Sequence, residues 1–197
     1  PLSFQYQANG PCGTTSGTAT VTLTVNAPPL PVITSAASAT GTGGQAFSYT
    51  ITANNAPTSF NATGLPAWAS INTTTGAITG VPNAAGLTNA MISATNVTGT
   101  TTVALPITVN LVTPVITSSL TAGATSGSPF NYTITASNLP ASFNATGLPT
   151  GLSINTTTGV ISGTPVVAMG GPVNVTISAT NTAGTDTPTL VLTDSRN

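Results

Sequence analysis

Two stretches of this chain repeat each other almost residue for residue, and that self-similarity limits its fold more than any other feature. Pro31-Val32-Ile33-Thr34-Ser35 returns as Pro114-Val115-Ile116-Thr117-Ser118. Phe47-Ser48-Tyr49-Thr50-Ile51-Thr52-Ala53 returns as Phe130-Asn131-Tyr132-Thr133-Ile134-Thr135-Ala136. Residues 59–66 reappear unchanged at 142–149, 71–76 at 154–159, and Ile92-Ser93-Ala94-Thr95-Asn96 at 177–181. The spacing lengthens by two residues near Gly170-Gly171, as a longer loop would do. A period of roughly 80 residues suits a small sandwich domain and is too long for a solenoid coil.

Within each copy the apolar residues alternate with Ser, Thr and Asn, the period of a strand with one buried face. Phe47, Tyr49 and Ile51 are predicted to point inward, as are Val103, Leu105, Ile107 and Val109. Val173, Val175, Ile177 and Ala179, followed by Leu190 and Leu192, form the matching set in the second copy. Pro106 falls on an outward position and cannot donate to a ladder, which predicts an edge strand or a bulge there. Glycine closes the turns at 72–76, 96–99, 155–159 and 181–184. No segment of useful length has helical period. The fold expected is all-β: tandem immunoglobulin-like β-sandwich domains, with about seven short strands each.

The first residues follow a different pattern. Phe4 and Tyr6 alternate with Gln5 and Gln7, a loop covers 9–17, and Ala19, Val21, Leu23 and Val25 alternate with Thr. This reads as one hairpin, and a lone hairpin is not stable in water. The domain division is therefore 1–27 as the C-terminal hairpin of a preceding or neighbour-completing domain, 31–110 as the first repeat and 114–193 as the second. Proline stiffens the short linkers Ala27-Pro28-Pro29-Leu30 and Leu111-Val112-Thr113, the second through Pro114 that follows it. With each sandwich spanning about 35–40 Å, the expected shape is a semi-rigid beaded rod.

Composition then excludes most chemistry. Of 197 residues 39% are hydrophobic, enough to build cores, but only 2% are charged. The charged side chains are Asp186, Asp194 and Arg196; Lys, Glu and His are missing altogether. Acid–base catalysis needs a tunable titratable group, and a Ser or Thr nucleophile needs an adjacent base. Calcium takes several carboxylates, and zinc takes clustered Cys and His. Nucleic acid binding needs cations to displace counterions, and one Arg cannot supply them. No apolar run approaches the ~18 residues of a membrane-spanning helix. The chain is expected not to be an enzyme, and no catalytic, cofactor-binding or metal-ligating residue is assigned. The absence of a charged-then-apolar leader, and a start at Pro1, suggest a mature product or a slice of a longer one.

A few residues carry two readings. Cys12 is the only cysteine, either an inert loop thiol or a bridge to another chain. Trp68 is the only tryptophan: it caps the core or packs on the linker, or it is exposed to stack on a sugar or partner. Asn-x-Ser/Thr sequons stand at Asn61, Asn72, Asn96, Asn131, Asn144, Asn155 and Asn174. A chain this rich in Thr produces them by chance, and most are simply copied with the repeat. O-linked sugar on the Thr-rich faces is the stronger of the two glycosylation readings.

Taken together, "PVITS", "F-x-Y-x-I-x-A", "SFNATGLP", "INTTTG" and "ISATN" resemble the immunoglobulin-like repeats of large bacterial surface and secreted proteins. These are similar to cadherin-like domains of dystroglycan type. The resemblance covers about residues 31–193, and residues 1–26 resemble the end of another bacterial Ig-like domain. It implies spacers, adhesin stalks, surface-layer or filament modules, or accessory modules beside a catalytic domain. The acidic motifs of calcium-binding relatives are absent, so calcium is not carried over. Trp68-Ala69 also departs from the pattern, where the second copy has Gly151-Leu152.

The expectation is thus a structural or adhesive module of an extracellular, cell-surface or secreted protein. Sheet edges are normally guarded by charge, and this chain has almost none, which favours assembly into a filament or layer through edge strands and apolar contacts. The partners expected are neighbouring Ig-like domains or identical subunits, with surface glycans as a further candidate. The alternative is a carbohydrate-binding or spacer module of a secreted multidomain glycosidase.

Overall fold

The computed structural model describes residues 2–13, 15–166 and 170–194. Pro1 and Arg196 lie outside them, and so do residues 167–169, beside the lengthening near Gly170-Gly171.

The chain opens with β1 (Leu2–Tyr6) paired antiparallel to β2 (Ala19–Leu23). Between them, a bridge from Asn9 to Thr15 and bonds joining Ala8 to Ser16 prolong the hairpin toward a short turn, Pro11–Gly13. Cys12 sits exposed in that turn at φ 70°.

The first repeat then runs through β3 (Val32–Ile33), β4 (Ala39–Thr42), β5 (Phe47–Thr50), β6 (Ala53–Asn54), β7 (Ser59–Thr63) and β8 (Ala69–Ile71). It ends with β9 (Ala77–Gly80), β10 (Gly86–Asn96) and β11 (Gly99–Asn110). A four-stranded sheet in the order β4-β11-β10-β7 faces a three-stranded sheet, β5-β9-β8, and β3 pairs with β6. The pairing of β4 with β11 is parallel, in a sandwich otherwise antiparallel.

The second repeat follows the same plan through β12 (Val115–Ile116), β13 (Thr121–Ala124), β14 (Phe130–Thr133), β15 (Ala136–Ser137), β16 (Ser142–Thr146) and β17 (Leu152–Ile154). β18 (Val160–Gly163), β19 (Val173–Asn181), β20 (Gly184–Asp186) and β21 (Thr189–Asp194) complete it. Pro188 interrupts the strand that is continuous as β11 in the first repeat, while the register against β19 is kept on both sides of the break.

The alternation read from the sequence becomes two cores. Phe47, Ile51, Ile78, Ala90, Ile92, Leu105 and Ile107 fill the first; Phe130, Ile134, Ile161, Val175, Ile177, Leu190 and Leu192 fill the second. Burying each large aliphatic side chain contributes about 1.5–3 kcal/mol. Tyr49 and Tyr132 lie partly buried against these cores, and each hydroxyl donates back to the turn before its strand. Tyr49 Oη reaches the Ala36 carbonyl at 2.6 Å, and Tyr132 Oη reaches that of Ser119 at 2.6 Å.

One strand expectation needs correction and another is narrowed to one of its alternatives. Val103 is 37% exposed, although it shares a face with buried Leu105. β4 pairs β11 only from Ile107 to Asn110, so Val103 lies where the sheet has no strand on that flank. Pro106 lies just outside the same ladder. Its register with Asn89 on β10 is unbroken, so the strand has a local open edge there and no bulge.

Candidate interdomain clamp

The turn between β10 and β11 holds the most consequential polar side chain of the first repeat. Asn96 is only 5% exposed. Its Oδ1 accepts from the Thr98 and Gly99 backbone N–H groups at 2.8 and 3.2 Å, which closes the turn. Its Nδ2 donates to the Pro29 carbonyl at 2.7 Å and the Asn55 carbonyl at 2.8 Å. A buried amide with both donors and its acceptor engaged is costly to disturb, because each orphaned partner loses about 1–3 kcal/mol.

Asn96 does not act alone on the linker. Thr98 Oγ1 donates to the Pro28 carbonyl (2.5 Å), Asn55 Nδ2 to that of Leu30 (2.7 Å) and Thr101 Oγ1 to that of Pro31 (2.7 Å). Three successive linker carbonyls, and that of Pro31 at the start of the repeat, are therefore each held by a side chain of that repeat. Proline supplies three of those four residues, so φ is already restricted and the bonds fix what freedom is left.

The second linker is held in the same way. Asn181, 6% exposed, donates to the carbonyls of Val112 (2.8 Å) and Asn138 (2.9 Å) and accepts from Ala183 and Gly184. Asn138 Nδ2 donates to the Thr113 carbonyl at 3.0 Å. Asp186 stands at the position of Thr101 and accepts from the Ile116 N–H at 2.8 Å. One of the few charged residues of the chain thus has a structural task.

The two repeats also touch. Gln45 Nε2 donates to Asn138 Oδ1 at 3.1 Å. A Cβ at Gly43 would meet Leu111 Cδ2 at 2.6 Å and Leu139 Cδ1 at 2.9 Å, the ends of two flexible side chains that would have to turn aside for any larger residue. Asn138 and Leu139 both have positive φ, 61° and 55°, as do Asn55 and Ala56 at the same place in the first repeat. A bulky residue held in the left-handed region costs about 1–3 kcal/mol, which the surrounding contacts must offset.

The remaining candidates fall elsewhere. Trp68 is half-buried within the first core, its ring edge-on to Phe47 with centroids 5.3 Å apart. It also lines an open groove of about 230 Å³, together with Pro66, Asn83, Leu87 and Thr88. Asn96 cannot serve as a glycosylation site in the fold, since its amide is buried and both N–H groups are used; the other sequon asparagines are exposed. Asn72 and Asn155 each accept from two backbone N–H groups and shape their turns. Among the described residues, no group of three His, Cys, Asp or Glu side chains converges, and no helix is long and apolar enough to cross a membrane.

Sequence comparison bears on the same two units. Residues 30–111 and 113–194 each match the family described as "Putative Ig domain". Among solved structures, the chain is similar to a "putative alpha-galactosidase/melibiase" from Bacteroides fragilis NCTC 9343, at 33% identity and a TM-score of 0.38. That match covers 41% of this chain and 17% of the other. It is also similar to an endo-fucoidan hydrolase from glycoside hydrolase family 107 (16% identity, TM-score 0.49, 98% of this chain and 34% of that one). Tandem Ig domains of titin give 15% identity and a TM-score of 0.42, over 85% of this chain and 97% of theirs. No curated protein matches the chain. With both sandwiches matched along their length, the chain belongs to the Putative Ig domain family.

Proposed function

We propose that the chain is a non-enzymatic structural and adhesive module of an extracellular, cell-surface or secreted protein, in which stacked sandwiches hold a fixed spacing. The observation that carries this is the clamp: every carbonyl from Pro28 to Pro31 accepts from a side chain of the next domain, and Asn181 repeats the arrangement at the second linker. A linker bonded in this way transmits position and load. Identical subunits or neighbouring Ig-like domains join it through apolar contacts and sheet edges other than β7 and β16, with almost no charge to repel a partner. The outer N–H groups of β7 and β16 are already used: Phe60 and Phe143 donate to the Thr73 and Thr156 carbonyls, and Ala62 and Ala145 to Asn61 Oδ1 and Asn144 Oδ1. Negative-stain electron microscopy of the purified chain tests the reading: short straight rods or regular fibres are expected, and freely jointed beads would oppose it.

A second reading, a carbohydrate-binding or accessory module, is favoured by the groove at Trp68. No side chain lining it is ionisable, and an indole beside Asn83 and Thr88 suits a neutral sugar ring. Because Trp68 is the sole tryptophan, its fluorescence reports on the groove directly. Titration with neutral oligosaccharides should shift the emission if this reading holds; no shift at millimolar sugar would dismiss it.

A further inference from the structure

β1 and β2 make a hairpin whose two faces differ completely. The register sets Leu2 opposite Leu23, Phe4 opposite Val21 and Tyr6 opposite Ala19, all on one face. Ser3 opposite Thr22 and Gln5 opposite Thr20 take the other. On the apolar face Leu2, Phe4, Tyr6, Val21 and Leu23 are exposed, and Val25 continues the row. Two strands with one uncovered apolar face are marginal in water.

The chain itself shows what covers such a face. Thr24-Val25-Asn26 before the first linker corresponds to Thr108-Val109-Asn110 before the second, which aligns β2 with the end of β11. Val21, Leu23 and Val25 then stand where Leu105, Ile107 and Val109 stand in the first repeat. There these residues are buried, with Leu105 fully so, because the sheet β5-β9-β8 brings Phe47, Ile51 and Ile78 against them. The hairpin has the place of β10 and β11 without the strands that oppose them. It is bulkier, with Phe4 and Tyr6 where β10 has Ala90 and Ile92, so its cover must offer smaller side chains.

We infer that the apolar face of β1 and β2 is the docking surface for the early-strand half of a third immunoglobulin-like sandwich. That half is a three-stranded antiparallel sheet with apolar residues at every second position, leading into β1 as residues 81–85 lead from β9 into β10. The hairpin is then the last pair of strands of that unit, and the Pro28–Pro31 clamp sets its position on the first repeat. The inference extends the rod reading by one domain. It stands on the hairpin and not on the inter-repeat joint, so the two can fail separately.

The test grafts residues 30–85 of this chain ahead of Leu2 in the full chain, once with the native hairpin and once with Phe4→Ala and Tyr6→Ile, which match the volumes of β10. Hydrogen exchange is followed at the amides of β1 and β2. Completion of a sandwich predicts exchange slower by at least about 100-fold in one or both grafts, and loss of that protection on Val21→Asp. Hairpin amides left unprotected in both grafts would overturn the inference. So would protection in the ungrafted chain that rises with concentration together with a dimer in sedimentation velocity, since a second copy would then be the cover.

Discussion

Asn96 Nδ2 lies 2.7 Å from the Pro29 carbonyl, across 67 residues of sequence, and this single bond joins the last turn of a domain to the linker that enters it. Asn181 and Val112 repeat the relationship at 2.8 Å. Replacing Asn96 with Ala leaves the carbonyls of Pro29 and Asn55 and the N–H groups of Thr98 and Gly99 short of partners. The first repeat should lose about 2–4 kcal/mol in urea unfolding, with the second repeat little affected. Asn181→Ala should reverse the pattern. Asn96→Asp should cost at least as much, because it removes both donors and buries a charge.

Gly43 sits where the two repeats meet. Gly43→Trp is too bulky for Leu111 and Leu139 to turn away from, and should open the joint without unfolding either domain. Small-angle X-ray scattering should register a changed maximum dimension. Each repeat should keep its unfolding midpoint, with a change in stability of no more than about 0.5 kcal/mol.

Gly76 and Gly159 form a matched pair for backbone strain. They have φ of 75° and 73°, and a Cβ on either would lie 2.7 Å from a carbonyl, that of Ile51 or Ile134. Alanine at either position should destabilise its own repeat by about 1–3 kcal/mol, and by similar amounts in the two, as read by chemical denaturation.

Expression in a host that performs N-glycosylation should leave Asn96 unmodified in folded protein, while exposed sequons such as Asn61 and Asn174 remain open to it. Peptide mass mapping would show this. Substantial occupancy at Asn96 in folded, monomeric protein would mean that the clamp is not formed.

The chain has no His, the side chain whose ordinary pKa lies closest to neutrality. Stability follows pH only where folded and unfolded states bind different numbers of protons. Calorimetry should therefore give a melting temperature constant to within about 1 °C over that range. So sparse a set of charges should also make it insensitive to salt.

Much of this fold was legible because the sequence states it twice. Period-two alternation placed Leu105, Ile107, Ile177 and Leu192 in the cores, since a strand with one covered face has no other way to bury them. The same rule misplaced Val103, because alternation reports which face a residue takes and not how far the neighbouring strand extends. The clamp was not legible. Asn96 and Asn181 read as ordinary turn residues, and their linker partners lie 67 and 69 residues away. Nothing local marked Leu139 as a residue with positive φ, nor Ala56, which has it at the same place in the first repeat. Trp68 had two readings and the structure supports parts of both, with its ring against Phe47 and its remaining surface on a groove.

The central claim is that clamped linkers make the two sandwiches move as one body. Residual dipolar couplings measured on the full chain in a weakly aligning medium address it directly. Rigid stacking predicts that alignment tensors fitted separately to residues 31–110 and 114–193 agree in magnitude and rhombicity, and that they diverge in the Asn181→Ala variant. Clearly different tensors in the unmodified chain would mean that the joint is a free hinge, and the account would be wrong.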